Sequence, residues 1–134
     1  MLWQTHILTS AILAYKLGAD VPFGVVASAF GSVFPDWIEK AGRLRVLKHR
    51  GLSHSVVLWL CVCSGLLAYF SSIPQIRWFA SGVLLHLAED SLTMTGVPLF
   101  WGKRRIALRL IRTGGPSEAL FLVLFVLVLL LSRV

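Results

Sequence analysis

Residues 49–70 read HRGLSHSVVLWLCVCSGLLAYF, a short polar stretch followed directly by a largely apolar run. The polar stretch contains His49 and His54, whose imidazole rings can bind metals, carry protons or simply fill space. The apolar run is long enough for a helix of about four to five turns. Side chains of metal-ligand type therefore lie at the start of a predicted hydrophobic helix, and their role has to be inferred from the rest of the sequence.

The composition points to a membrane environment. The chain has 134 residues, of which 57% are hydrophobic, and its mean hydropathy is +0.80. A soluble domain of this length does not need so much apolar surface, so the bilayer is the expected solvent. The length indicates a single domain over residues 1–134. The net charge of +7 lies beside apolar runs, which favours membrane lipids and their anionic headgroups as partners and gives no reason to expect nucleic acid.

Five apolar segments are separated by glycine, proline and basic stretches. They cover residues 2–17, 23–38, 54–70, 77–94 and 117–132. Each is roughly 24–27 Å long as a helix, slightly short of a hydrocarbon core of about 30 Å. The predicted fold is an all-α integral membrane protein, a compact bundle of about four to five transmembrane or partly re-entrant helices.

The basic residues suggest an orientation. They concentrate in residues 39–51 and 103–112, which lie on one side of the membrane if all five segments span it. The positive-inside rule then predicts a multi-pass protein with a cytoplasmic N-terminus. The fifth segment is apolar on all sides, and this leaves two alternatives open: it faces lipid, or it packs against a neighbouring subunit of a homo-oligomer.

Under this topology, six side chains of metal-ligand type share one depth although they come from four segments. They are His6, Asp36, His49, His54, His86 and Asp90. His86 and Asp90 are four residues apart and lie on the same helical face. A carboxylate in hydrocarbon costs several kcal/mol, so such an acid is a functional candidate by default. The alternative is a hydrogen-bonded His86–Asp90 pair that only ties helices together.

Imidazole and carboxylate ligands suit Zn²⁺, Mn²⁺ or Fe²⁺. Thiolate would instead indicate a structural zinc, but Cys61 and Cys63 lie within the third apolar segment, away from this layer. Six donors exceed the needs of one tetrahedral ion. They fit two ions, or one ion with additional side chains that orient the imidazole rings. The expected cofactor is therefore a divalent metal, zinc first, with one or two ions.

Three further residues are candidates for catalysis. Glu39 and Glu89 are each placed to act as the general base that takes a proton from the attacking water. Arg50 follows His49 directly and suits a bidentate clamp on phosphate. The alternatives are that Glu39 is a loop charge, that Glu89 supports a ligand, and that Arg50 only sets the topology.

The motifs around these residues resemble a known family. The chain reads Thr5-His6, FPDWIE at 34–39, HRGLSHS at 49–55 and HLAEDSLTMTGVPLFW at 86–101. It thereby resembles the YdjM-type family of inner-membrane, metal-dependent hydrolase-like proteins. That family shows an early Thr-His, a Pro-Asp, a His-Arg-Gly-x-Thr-His-Ser, and a His-x-x-x-Asp helix running into Leu-Thr-x-x-Gly-Val-Pro-Leu-x-Trp. The last two motifs are the specific ones.

The resemblance implies an inner-membrane location and a metal site built from the six ligand-type residues above. The family is also distantly similar to the zinc-dependent phospholipase C and nuclease fold, which implies phosphodiester chemistry. One departure weakens the expectation of a second ion. Where the family often reads Pro-Asp-x-Asp-His, this chain has Ile38 and Glu39 after Trp37.

The function expected from the sequence is hydrolysis of a phosphoester or phosphodiester of a membrane lipid at the cytoplasmic face. The main alternative is a non-catalytic scaffold or interaction protein that a metal braces. An ion transporter would need polar residues spaced across the bilayer, and an intramembrane metalloprotease usually carries His-Glu-x-x-His, which this sequence lacks.

Overall fold

The computed structural model describes residues 1–41, 51–100 and 104–132. The helices are α1 (Trp3–Lys16), α2 (Phe23–Ala41), α3 (Val56–Tyr69), α4 (Pro74–Ser91) and α5 (Pro116–Leu131). A 3₁₀ turn, Leu52–His54, precedes α3. Two short strands, β1 (Val97–Pro98) and β2 (Arg105–Ile106), pair antiparallel between α4 and α5, with Val97 opposite Ile106.

Local sequence signals explain where the helices begin and end. Gly18 adopts a φ of +85° just after α1, the left-handed conformation that glycine supplies at helix ends. Pro74 and Pro116 occupy the first helical positions of α4 and α5, where proline costs no hydrogen bond. The Ser55 side chain caps α3 by accepting a hydrogen bond from the Leu58 N–H at 3.3 Å.

Small residues allow α2 and α4 to approach backbone to backbone. A Cβ on Gly31 would lie 2.2 Å from the carbonyl oxygen of Phe79, and one on Gly82 would lie 2.0 Å from that of Ser28. The same Ser28 carbonyl accepts a hydrogen bond from the Ser10 hydroxyl at 2.8 Å, so α2 also contacts α1. Helices α1, α2 and α4 therefore form a tightly packed unit.

The apolar core lies between α3, α4 and β1. It consists of Trp59, Cys63, Ala80, Val83, Leu87 and Val97. The indole N–H of Trp59 donates to the Ser53 carbonyl at 2.7 Å, which anchors the 3₁₀ turn on this core. His54, the last residue of that turn, is thereby held against α2 and α4.

The predicted membrane-embedded bundle of transmembrane or re-entrant helices is wrong. Within the described part of the chain, no helix combines the length and the apolar character needed to cross a membrane. The longest helices, α2 and α4 with 19 and 18 residues, each contain three charged side chains, most of them near the C-terminal end. The most apolar ones, α5 and α3, have only 16 and 14 residues, roughly 24 and 21 Å against a hydrocarbon core of about 30 Å.

The positions of the five helices agree closely with the five apolar segments of the sequence, so the error concerns their relation to the bilayer. High apolar content does not by itself distinguish a helix that packs inside a protein from one that faces lipid. The multi-pass topology and the cytoplasmic N-terminus depend on five spans, and they are not confirmed.

Candidate metal centre

Five of the six predicted metal ligands converge between α1, α2, α4 and the 3₁₀ turn. They are His6 on α1, Asp36 on α2, His54 in the turn, and His86 and Asp90 on α4. All three histidine side chains are completely buried, and Asp90 is nearly so. The sixth predicted ligand, His49, lies outside the described residues, as does Arg50.

The donor atoms form two groups that share His86. One group is His6, His86 and Asp90, the other is Asp36, His54 and His86, and within each group the donors lie within 4.8 Å of one another. His54 Nε2 is 2.9 Å from Asp36 Oδ1, and His6 Nε2 is 3.5 Å from Asp90 Oδ1. Ligands held at about 2.0–2.2 Å from one ion are roughly 3–3.6 Å apart, so these separations are close to those of a coordination shell.

Carboxylates orient two of the imidazole rings. His6 Nδ1 lies 2.6 Å from Glu89 Oε2, and His54 Nδ1 lies 3.4 Å from Glu39 Oε2 and 3.0 Å from the Ser53 hydroxyl. In metal sites, a carboxylate on one ring nitrogen fixes the tautomer and aims the other nitrogen at the ion. Here both Nε2 atoms point towards the aspartates at the centre of the cluster.

Several buried polar atoms at the centre of the cluster lack hydrogen-bond partners among the described residues. These atoms are His6 Nε2, both ring nitrogens of His86, and Glu89 Oε1. A buried polar atom left without a partner costs about 1–3 kcal/mol, so native proteins rarely contain several in one place. A divalent cation would give His6 Nε2 and one ring nitrogen of His86 a partner, and the nitrogen and oxygen donor set fits Zn²⁺, Mn²⁺ or Fe²⁺.

The protonation states also suit a cation. Burial, together with the positive charges of His6 and His54, lowers the pKa of His86 to about 3, so its ring is neutral at pH 7. Burial opposes ionisation of Asp36, but the hydrogen bond from His54 and the charges of both neighbouring imidazoles lower its pKa to about 2. Burial likewise opposes the charged form of His6, yet the neighbouring carboxylates of Asp90 and Glu89 raise its pKa.

The segment after α4 positions the turn that carries His54. Gly96 has a φ of +61°, and a Cβ there would lie 2.2 Å from a carbonyl oxygen of β2. Three residues later, the Leu99 carbonyl accepts hydrogen bonds from the Val57 N–H at 3.1 Å and the Ser55 hydroxyl at 3.3 Å. The Gly-Val-Pro-Leu motif therefore holds the start of α3, and it acts on the cluster through the backbone.

The two predicted catalytic carboxylates have different surroundings. Glu89 is buried and hydrogen-bonded to His6, which favours the alternative that it supports a ligand. The Glu39 side chain is 11% exposed and borders a cavity, so a proton could reach it. Each contacts the outer ring nitrogen, Nδ1, of a histidine in the cluster, the nitrogen that faces away from the aspartates.

Two contacts of the cluster were not predicted. The Ser53 hydroxyl contacts His54 Nδ1. The sequence could have indicated this contact, because the family motif has threonine, which also carries a hydroxyl group, at this position. The α-amino group of Met1 donates to Asp90 Oδ1. A backbone amine has no signature in the sequence, so only the fold reveals that contact.

Comparison with known proteins agrees with the motif resemblance. Residues 1–134 match the family described as YdjM inner membrane protein. The inner membrane protein YdjM of Escherichia coli K12 and that of Shigella flexneri are each 33% identical to the chain over 106 residues. These regions are 72% of this chain and 49% of each relative, so the chain spans about half the length of the curated relatives it matches. No solved structure matches the chain. The family predicted from the motifs is confirmed, although its description names no hydrolase: this chain belongs to the YdjM inner membrane protein family.

Proposed function

We propose that this protein is a metal-dependent hydrolase that cleaves a phosphoester or phosphodiester of a membrane lipid at the inner membrane. The observation that carries the proposal is the buried cluster of three histidines and two aspartates. Its imidazole Nε2 atoms face carboxylate oxygens at 2.9–4.0 Å. A donor set of this composition and spacing is typical of divalent-metal sites.

A divalent ion bound at the cluster, zinc or else manganese or iron, supplies a Lewis acid that polarises a phosphoryl oxygen and favours attack by water. Its buried ligands would be His6, His54, His86 and Asp90. Glu89 fixes the orientation of the His6 ring through their hydrogen bond. Asp36 is the ligand that borders open space, since its side chain is 19% exposed. The substrate therefore approaches from the Asp36 side.

Glu39 is the general base of this proposal. It lies one helical turn from Asp36 on α2 and lines the same cavity. During hydrolysis, the oxygen of water attacks phosphorus while the water proton passes to Glu39, and the bond from phosphorus to the leaving oxygen breaks as Glu39 returns that proton to it. The carboxylate is held for this role by the Ser53 hydroxyl at 3.3 Å.

The lipid nature of the substrate is inferred from location and charge. The family is an inner-membrane one, and the chain carries a net charge of +7. The cytoplasmic leaflet presents anionic lipid headgroups, which attract a basic protein by about 1 kcal/mol per basic residue near the surface. These two properties favour a phosphate-bearing lipid at the cytoplasmic face as the substrate.

The test combines metal analysis with a substrate panel. Purified full-length protein should contain zinc, manganese or iron and should hydrolyse at least one phospholipid or phosphodiester in a metal-dependent way. His54→Ala should lower both metal content and turnover, the rate falling by about a hundredfold or more. Asp20→Asn, a change at an exposed acid between α1 and α2, is the matched control and should leave both unchanged. Stoichiometric metal without turnover of any phosphoester would contradict the proposal.

The complete burial of the three histidines favours one second candidate, a scaffold that the metal only braces. In that case His54→Ala should lower the temperature of unfolding, and the wild-type protein should have no hydrolytic rate to lose. A conservative substitution of a residue in the cavity wall distinguishes the hydrolase from the scaffold. Glu39→Gln, assayed at saturating metal, should reduce turnover if the protein is an enzyme, whereas a scaffold has no turnover to reduce.

A further inference from the structure

A cavity leads to the open side of the metal cluster. Asp36 and Glu39, the partly exposed carboxylates of the cluster, border this space of about 630 Å³ between the start of α1 and the end of α2. Its described lining consists of Met1, Leu2, Trp3, Gln4, Ile7, Asp36, Glu39, Lys40 and Thr113. A substrate that reaches the cluster from the Asp36 side must enter this space.

Lys40 is part of the lining of this cavity. Among the described residues that line it, Lys40 carries the only basic side chain. Its ammonium group lies 3.9 Å from the centroid of the Trp3 ring, a distance typical of a cation–π contact. Lys40 also follows Asp36 by four residues on α2, so both side chains lie on the same helical face.

A cation at the wall of the cavity attracts an anionic substrate as it enters, and Lys40 provides one. The Trp3 ring restrains the flexible lysine chain, while the ammonium group still has three N–H donors for phosphate oxygens. Lysine binds phosphate as a point charge and needs no fixed fork geometry.

We propose that Lys40, held by Trp3, binds the phosphate oxygens of the substrate in this cavity and selects phosphoesters over uncharged esters. This inference rests on the proposed function and names the residue that recognises its substrate. Lys40 binds the substrate and takes no part in proton transfer.

The first experiment measures binding and needs no turnover. Metal-loaded full-length protein is titrated with inorganic phosphate in a calorimeter. Lys40→Met, which removes the charge at similar length, should weaken binding by about tenfold, the factor expected when a hydrogen bond to a charged group is lost. Lys40→Arg should keep the affinity within about threefold, and Trp3→Leu should weaken it by about threefold.

Lys16→Met is the matched control. Lys16 is at the other end of α1, about 20 Å along the helix from Trp3, and its amine lies 3.4 Å from the Ser132 carbonyl. This variant should bind phosphate like the wild type. Metal content and unfolding temperature should be the same in all four variants, which excludes damage to the cluster or the fold. Binding of both phosphate and phosphate-bearing vesicles by Lys40→Met at wild-type strength would overturn the inference.

A second arm separates free phosphate from lipid phosphate and tests recognition independently of hydrolysis. Vesicles of phosphatidylcholine with phosphatidic acid are offered to the same variants. Loss of both vesicle and phosphate binding in Lys40→Met supports a general phosphate site, whereas loss of vesicle binding alone supports a lipid headgroup. If the wild type hydrolyses a phosphodiester, Lys40→Met should raise KM about tenfold with kcat within threefold. An unchanged KM would overturn the inference about Lys40 and leave the hydrolase proposal intact.

If no substrate is turned over but binding depends on Lys40, the hydrolase proposal fails and the phosphate site stands.

Discussion

Glu118 shows how a single buried charge can support the cluster from a distance. Its side chain is only 3% exposed, and it accepts hydrogen bonds from the Leu2 N–H at 2.7 Å and the Thr5 hydroxyl at 2.6 Å. Its second oxygen accepts from the Gly114 N–H at 2.7 Å. Because Thr5 precedes His6, this carboxylate ties α5 to the turn of α1 that carries a predicted ligand.

Glu118→Gln should lower the free energy of unfolding of metal-free protein by about 1–3 kcal/mol at pH 7. Burial raises the pKa of Glu118, but the hydrogen bonds from Thr5, Gly114 and Leu2 outweigh it and hold the pKa below its ordinary value of 4.5. The stabilisation is therefore complete above pH 4.5 and is lost as the pH falls through the lowered pKa. Chemical denaturation between pH 7 and pH 3 should show the difference between the two proteins shrinking in acid. A difference that stays constant over this range would contradict the prediction.

The contact between α2 and α4 determines how far Asp36 lies from His86. Both residues are on these helices, and the backbones meet at Gly31 and Gly82, where no Cβ can be accommodated. His86 Nε2 is 4.0 Å from Asp36 Oδ1, so a small increase in helix separation would move these donors out of reach of one ion. The glycines therefore belong to the architecture of the site although they carry no chemistry.

Gly82→Ala should destabilise the protein by about 1–3 kcal/mol, because the added Cβ would lie 2.0 Å from the Ser28 carbonyl oxygen and the helices must separate. It should also weaken metal binding. Gly65→Ala is the matched control, since a Cβ on Gly65 in α3 meets nothing within 4 Å. That change should stabilise the helix by about 0.5–1 kcal/mol or leave it unchanged. Equal unfolding temperatures and metal affinities for the two variants would show that the close approach is not required.

The whole molecule is organised around side chains that are far apart in the chain. The cluster joins α1, α2, the 3₁₀ turn and α4, with His6 and Asp90 more than 80 residues apart in sequence. In the part of the chain that the structure describes, the buried ring nitrogens that lack a hydrogen-bond partner lie where these elements meet. A cation bound there would connect four elements at once, so its binding should be coupled to the stability of the entire fold.

Divalent metal should therefore raise the unfolding temperature of the chelator-treated protein. Zn²⁺ or Mn²⁺ at a hundred times its Kd should add about 2.7 kcal/mol to the free energy of unfolding if it binds only the folded state. Tryptophan fluorescence during heating, with and without metal, measures this shift. In His86→Ala, which removes the ligand shared by both donor groups, the metal-dependent shift should disappear whatever the stability of the metal-free variant. A shift of the same size in that variant would argue against the site.

Much of this arrangement was predictable from local sequence. Glycine and proline signals locate the five helices to within a few residues, since they act on the backbone within one or two turns. The structure brings five of the six predicted ligand-type residues together, and their role as metal ligands stays a prediction. The motifs also indicated the family.

Only the tertiary structure decided how those parts relate to one another. Within the described ranges it contains no helix that is both long and apolar enough to cross a bilayer, since helix length and charge placement matter as well as apolar content. It also decided that Glu89 and Glu39 face the outer nitrogens of His6 and His54, and that Glu118 and Lys40 flank the cluster. The physical reason is range: sequence signals act over a few residues, whereas a site built from side chains more than 80 residues apart exists only once the helices have packed.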